Sequence, residues 1–236
     1  MRLATYRTGK TVILYDAGSV CDADMAPQLG PTLLDPQHWR QQGRVVGEAP
    51  GRGSSLFLDA GAEQWVLRPY RRGGLVATVS EARYLWLGLE RTRAFRELRL
   101  TADLHERGLP VPRPVAAGVT RHGLSYEAAL LTVRIPGARA LAERLAENRA
   151  DAALLTSVGA TIRRFHDAGL DHVDLNARNL LVDDDGKTWL IDLDRCRMRP
   201  SGGHVPGNLA RLARSLRKLG HPQAMAAILE GHRGGE

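Results

Sequence analysis

The stretch His172-Val173-Asp174-Leu175-Asn176-Ala177-Arg178-Asn179 sets a carboxylate and an amide five residues apart, and Ile191-Asp192-Leu193-Asp194 places Asp192 thirteen residues beyond Asn179. Phosphoryl transfer asks for few protein groups. One carboxylate takes the acceptor hydroxyl's proton, while an amide and a second carboxylate hold Mg²⁺ against nucleotide phosphates. A lone Asp on a turn is usually a cap, but here His172, Asn179 and Asp192 fit the same chemistry together. Asp174 is therefore the candidate base. Asn179 and Asp192 are the candidate Mg²⁺ ligands, hard oxygen donors that leave positions open for phosphate and water.

Between them, Leu180-Leu181-Val182, the turn Asp183-Asp184-Asp185-Gly186 and Thr188-Trp189-Leu190-Ile191 read as a β-hairpin that returns Asp192 to the level of Asn179. His172 is expected to hold the loop by hydrogen bonding. Asp194 is either a supplementary metal ligand or a structural acid. Asn176 and Arg178 either touch the transferred phosphate or pair elsewhere.

Upstream, residues 1–40 look irregular apart from a short strand-like piece at Val12–Tyr15. From Arg44 the pattern is β-like: Arg44–Gly47, a glycine-rich turn, Ser55–Leu58, then Gln64–Arg68 stopped by Pro69. Gly47, Gly51 and Gly53 are candidates to lay backbone N–H groups over phosphates, although such a stretch is also an ordinary hairpin turn. Helical spacing runs over Ser80–Leu89 and Thr92–Arg107, with Gly108 placed as a C-cap. Pro110, Pro112 and Pro114 force an extended passage, Ala128–Val133 reads as a buried strand, and Pro136-Gly137 breaks the chain. Ala138–Asn148, Ala152–Ala168 and a last amphipathic helix, Leu209–Leu219, follow.

This order predicts an α+β chain in two lobes, a protein-kinase-like fold. A small β-rich N-terminal lobe spans residues 1–135, with a lead-in over 1–40, and a short helical C-terminal lobe spans 136–236. Only 44 residues follow Asp192, too few for a full activation segment and a large helical subdomain, which disfavours a protein substrate.

Composition narrows the partners. In 236 residues, 43% apolar and 25% charged side chains are ordinary for a globular chain, and no run approaches the length of a membrane span. The polar start Met1–Thr8 argues against a signal peptide, so the chain is expected in the cytoplasm. Cys21 and Cys196 form no metal-ligand pattern. The net charge of +7 favours an anionic partner. Few aromatics (5%) leave little stacking surface for nucleic acid, and no obligate protein partner is evident.

Protein kinases hold the α/β phosphates with a lysine on the third strand, paired to a helix glutamate. The only lysines here are Lys10, Lys187 and Lys218, so lysine cannot fill that role. Arg68 stands where it would fall, and Glu97 on the next helix is its natural partner. Arginine keeps the charge and adds a bidentate fork, with different geometry. The substitution raises a pseudokinase as an alternative. Arg71 and Arg72, in Leu67-Arg68-Pro69-Tyr70-Arg71-Arg72-Gly73-Gly74, either clasp an anionic acceptor or form an exposed basic turn.

That block, Glu97, Leu109–Pro114, Arg134–Ala138, the Asp174 loop and Ile191–Arg195 together resemble the 3-deoxy-D-manno-octulosonic acid (Kdo) kinases of Gram-negative bacteria, relatives of the lipopolysaccharide core heptose kinases. The likeness runs over about residues 30–200. It implies ATP- and Mg²⁺-dependent phosphorylation of the Kdo 4-hydroxyl on Kdo-lipid IVA, at the cytoplasmic face of the inner membrane. A chain without a span would reach that lipid peripherally, through Arg-rich and amphipathic segments such as the last helix. The competing readings are another small-molecule kinase, of heptose, aminoglycoside or choline type, and a non-catalytic kinase-like scaffold that binds nucleotide or another anion. Aminoglycoside and choline kinases typically bind cationic acceptors, which a basic chain does not suit.

Overall fold

The computed structural model describes residues 1–20, 29–49, 55–70 and 84–234. They combine a large antiparallel sheet with several helices and divide into two compact units. Unit 1 comprises residues 1–103 and 113–134, and unit 2 comprises residues 104–112 and 135–236.

Unit 1 contains the strands β1 (Leu3–Thr8), β2 (Thr11–Asp16), β3 (Val45–Ala49), β4 (Ser55–Asp59), β5 (Gln64–Pro69), β6 (Tyr84–Leu85), β7 (Pro114–His122) and β8 (Ser125–Val133). They form one eight-stranded sheet in the order β1-β2-β7-β8-β5-β4-β3, with β6 also paired to β8. The period-2 alternation of strands decides which side chains go where. Ile13, Ala116 and Leu131 turn to one face, with Leu33, Trp39, Leu58 and Trp65. Their chain neighbours Leu14, Ala117 and Leu130 turn to the other, with Phe95 and Leu98. Helices α1 (Ala17–Val20) and α2 (Pro36–Gln41) supply Val20 and Trp39 to the first face, and α3 (Arg93–Glu106) supplies Phe95 and Leu98 to the second. The 3₁₀ turn Pro31–Leu34 lies so close to β7 that a Cβ at Gly118 would overlap the Leu34 side chain.

Unit 2 contains β9 (Arg139–Ala140), α4 (Leu141–Ala146), α5 (Ala152–Asp167), β10 (Leu170–Asp171), β11 (Leu180–Val182), β12 (Thr188–Leu190), β13 (Arg197–Met198), α6 (Val205–Lys218) and α7 (Ala224–Arg233). Asp151 caps α5 through a 2.8 Å bond from the Leu154 amide. Helices α5 and α7 cross at glycine: a Cβ on Gly159 would overlap the Ile228 carbonyl, and one on Gly231 the Thr156 carbonyl. The expected hairpin is present, with Leu180 opposite Leu190 and Val182 opposite Thr188.

Four expectations need correction. The described residues of 1–40 are not irregular, because β1 and β2 form a hairpin on the sheet edge and Asp35 caps α2. Within Ser80–Leu89, residues 84–89 are not helical: Tyr84–Leu85 is a strand and a 3₁₀ turn begins at Leu89. The helix expected over Ala138–Asn148 shrinks to Leu141–Ala146, because Arg139 and Ala140 pair with β11. The helix ending at Leu219 is not the last, since α7 follows it.

Candidate active site

Unit 2 holds the loop from His172 to Asn179. The C-terminus of α5 turns at Gly169, where φ is 88°, into β10. There the buried Asp171 carboxylate faces the Nε atoms of Arg197, at 3.4 Å, and Arg199, at 3.2 Å. This fixes the chain just before His172. Asn176 then ties the loop to itself. Its Nδ2 donates to the Asp174 carbonyl at 2.9 Å, and its Oδ1 accepts from the amides of Arg178, at 2.9 Å, and Asn179, at 3.3 Å. The Ala177 carbonyl takes the Ala142 amide at 3.0 Å, and the Ala177 amide donates to Ser215 Oγ at 3.2 Å. Helices α4 and α6 therefore grip the loop from two sides.

Asn179 Nδ2 donates to the Asp174 carbonyl at 3.0 Å. The amide group is thereby oriented, and its Oδ1, without a partner among the described residues, is the atom left for a metal. The Asp174 side chain is exposed, and its carboxylate is unpaired among the described residues. The Ile191 amide donates to the Asn179 carbonyl at 3.0 Å, and the Ile191 carbonyl accepts from His172 Nε2 at 3.1 Å. Asp192 thus leaves the hairpin beside Asn179. It does so with φ at 60°, a left-handed conformation that Asp tolerates better than most residues.

His172 is almost wholly buried, and that burial lowers its pKa, while the Ile191 carbonyl and then the Asp192 and Asp174 carboxylates raise it. Both acids therefore act on one imidazole. Because Nε2 faces a carbonyl, it carries the proton and donates, and His172 works as a neutral brace.

These donors fit Mg²⁺. Asn179 Oδ1 and the Asp192 carboxylate are hard oxygen donors, and among the described residues no cluster of acids, histidines or cysteines forms an all-protein cage. Mg²⁺ is usually held by one or two such ligands, completed by phosphate oxygens and water. The Asp194 carboxylate lies 3.8 Å from Arg195 Nε, and the Asn176 side chain is spent inside the loop.

In unit 1, the Arg68 guanidinium pairs with Glu97 Oε1. Glu97 is only 3% exposed against 27% for Arg68, so the pair presents the cation to solvent. Tyr70, missed in the sequence because it sits beyond Pro69, donates its hydroxyl to Glu97 Oε2. The Arg68 guanidinium lies 4.8 Å from the Tyr70 ring centre, and Arg93 stacks over Tyr84 at the same distance. Gly47 sits in β3 beside a bulge, where a Cβ would press on the Phe57 ring at 3.2 Å. Close packing against Phe57 favours a glycine there. Gly51, Gly53, Arg71, Arg72 and Cys21 lie outside the described residues.

A match to the family described as "Lipopolysaccharide kinase (Kdo/WaaP) family" covers residues 36–230, a span that includes Arg68, Glu97 and the whole loop from His172 to Asn179. The chain belongs to this family. It is an ATP-dependent kinase. Among its Kdo/WaaP relatives, a "3-deoxy-D-manno-octulosonic acid kinase" of Stenotrophomonas maltophilia (strain K279a) is 48% identical over 92% of this chain and 85% of its own. Proteins of the same name from Xanthomonas campestris pv. campestris (strain B100) and Xanthomonas axonopodis pv. citri (strain 306) are 47% and 48% identical over the same shares.

Proposed function

We propose that this family member transfers the γ-phosphoryl group of ATP to a Kdo hydroxyl, O4, on Kdo-lipid IVA at the cytoplasmic face of the inner membrane. The observation that supports the chemistry is the Ile191-to-Asn179 backbone bond, which joins the chain just before Asp192 to Asn179 in the same unit as Asp174. The acceptor reading draws on the names of the relatives, and on a net charge of +7 that suits an anionic sugar acid on a phosphorylated lipid.

In the mechanism, Asp174 receives the hydroxyl proton as the acceptor oxygen bonds to the γ-phosphorus. The bond from that phosphorus to the bridging oxygen breaks, and ADP leaves with the electron pair. Asn179 and Asp192 would hold Mg²⁺, which when bound would offset charge on the phosphoryl oxygens. Arg68, fixed by Glu97, takes the phosphate-binding role that lysine fills in protein kinases. Arg71 and Arg72 meet the acceptor carboxylate or phosphate.

Mass spectrometry of Kdo-lipid IVA after incubation with the protein, ATP and Mg²⁺ tests this. A gain of one phosphate, lost with Asp174→Ala, supports it. No gain while nucleotide still binds moves the acceptor elsewhere.

A further inference from the structure

The described large apolar side chains most open to solvent are Leu85, Leu87 and Leu124, exposed by 61%, 62% and 79%. All belong to one corner of unit 1. Leu85 pairs with Ser125, and the Trp86 amide donates to the Leu124 carbonyl at 2.9 Å. Along this segment Tyr84 turns inward and is buried, and Trp86 is half-buried, edge-on to Tyr126 at 6.1 Å. Leu85 and Leu87, the alternate residues, turn outward. A half-buried antiparallel strand ordinarily carries polar residues there.

The rim is basic. The Arg121 guanidinium lies 5.0 Å from the Trp86 ring centre, and its backbone amide donates to the Lys10 carbonyl at 3.0 Å. Lys10 therefore stands on the adjoining β1–β2 turn, and exposed Arg91 follows Leu87 in the 3₁₀ turn. The acids of this corner are engaged: Glu127 faces His122 at 3.5 Å, and Glu90 takes both a 2.9 Å and a 3.0 Å bond from Arg99.

We propose that Leu85, Leu87 and Leu124, with Trp86 at their edge and Lys10 and Arg121 as a basic rim, dock unit 1 onto an anionic lipid bilayer. Leucines that enter the acyl boundary, a tryptophan at headgroup level and cations facing lipid phosphates are the combination such a surface selects. Helix α6, with Arg211, Arg214, Arg217 and Lys218, offers charge alone, because its Leu212 and Leu216 are buried within unit 2. The proposal rests on the reading that the acceptor is lipid-borne.

The test is cosedimentation of the full chain with phosphatidylglycerol–phosphatidylcholine vesicles and with pure phosphatidylcholine vesicles, without nucleotide or acceptor. The wild type is expected on the anionic vesicles. Leu85→Gln/Leu87→Gln/Leu124→Gln is expected to bind them about tenfold or more weakly, as loss of apolar contact with the acyl boundary requires. Arg211→Gln/Arg214→Gln/Arg217→Gln should bind like the wild type. Brominated lipid should quench the wild-type tryptophan emission and quench Trp86→Phe less, a measurement that does not depend on the triple variant folding. Wild-type indifference to anionic vesicles, binding that follows the α6 arginines, or a leucine variant that changes only the oligomeric mass overturns the proposal. The last of these would assign the corner to a second copy of the chain. No transfer reaction is read, so a negative result leaves the acceptor assignment standing, and a failed phosphorylation assay leaves the docking result standing.

Discussion

The Asn179 carbonyl accepts the Ile191 amide at 3.0 Å, and this bond holds the residue before Asp192 against the Asn179 backbone. Asp192→Asn preserves the shape and removes a charge. In phosphorylation assays kcat is expected to fall by about 10³-fold, equivalent to ~4 kcal/mol of transition-state stabilisation. The Mg²⁺ concentration needed for half-maximal rate is expected to rise with it. A variant with an unchanged Mg²⁺ dependence would remove Asp192 from the metal site.

The hydrogen bonds within the loop use only the backbone carbonyl of Asp174, not its carboxylate. Asp174→Asn is therefore expected to fold normally and bind ATP with unchanged affinity by calorimetry. Its turnover should drop by about 10²–10⁴, the range ordinarily supplied by a general base. Loss of ATP binding in parallel with turnover would count against the assignment.

Glu97 is held by both Arg68 and Tyr70. Tyr70→Phe removes one bond to a buried carboxylate, worth about 1.5–3 kcal/mol. Its signature should be a KM for ATP raised about tenfold with kcat less affected, because a loosened Arg68 loses ground-state grip on phosphate. Glu97→Gln should have the same effect more strongly. A stability loss without a change in KM would make the triad purely structural.

The α5–α7 crossing leaves no room for a methyl group, because the obstructing atoms are backbone carbonyls. Gly159→Ala and Gly231→Ala should each destabilise the protein by about 1–3 kcal/mol in urea titrations, despite the better helix propensity of alanine. An alanine variant as stable as the wild type would show that the helices can separate at no cost.

Burial, then the neighbouring His232, His204 and His172, lower the His166 pKa to about 4 against the opposing pull of Asp171. Burial likewise lowers His232, where Asp167 pulls upward and Arg163 and Arg233 push downward. The folded chain thus refuses protons that the unfolded chain takes up below the ordinary value of 6.5. Stability is complete above that pH and declines as pH falls toward 4, by about 2 kcal/mol for His166 after allowance for its partial exposure. Melting temperatures recorded near pH 7.5, 6 and 5 should fall in that order. A flat series would contradict the buried neutral cluster.

The loop from His172 to Asn179 and the hairpin after it were legible as structure because they rest on short-range spacing: Asp174 to Asn179 lies within one turn system, and Asp183–Gly186 is strong turn chemistry. Other elements hid for physical reasons. β7, from Val115 to Val119, is buried on both faces, so it lacks alternation and reads as an extension of the prolines before it. β1 alternates only between exposed and half-buried positions, which blurs its contrast. In Tyr84-Leu85-Trp86-Leu87 every residue is apolar, so composition cannot say that two point inward and two outward. Tyr70 and Asp171 act on partners 27 and 26 residues away, contacts that no local pattern announces.

If Arg68 fills the phosphate-binding role proposed for it, the chain answers differently to chemical labelling. An amine-reactive nucleotide analogue, which acylates a phosphate-binding lysine, finds no amine side chain between residues 11 and 186. The Arg68 guanidinium stays protonated and non-nucleophilic at any workable pH. A profiling experiment that enriches kinases through that lysine would pass this one by, and inhibitors of it must gain their affinity from reversible contacts rather than from an amine warhead.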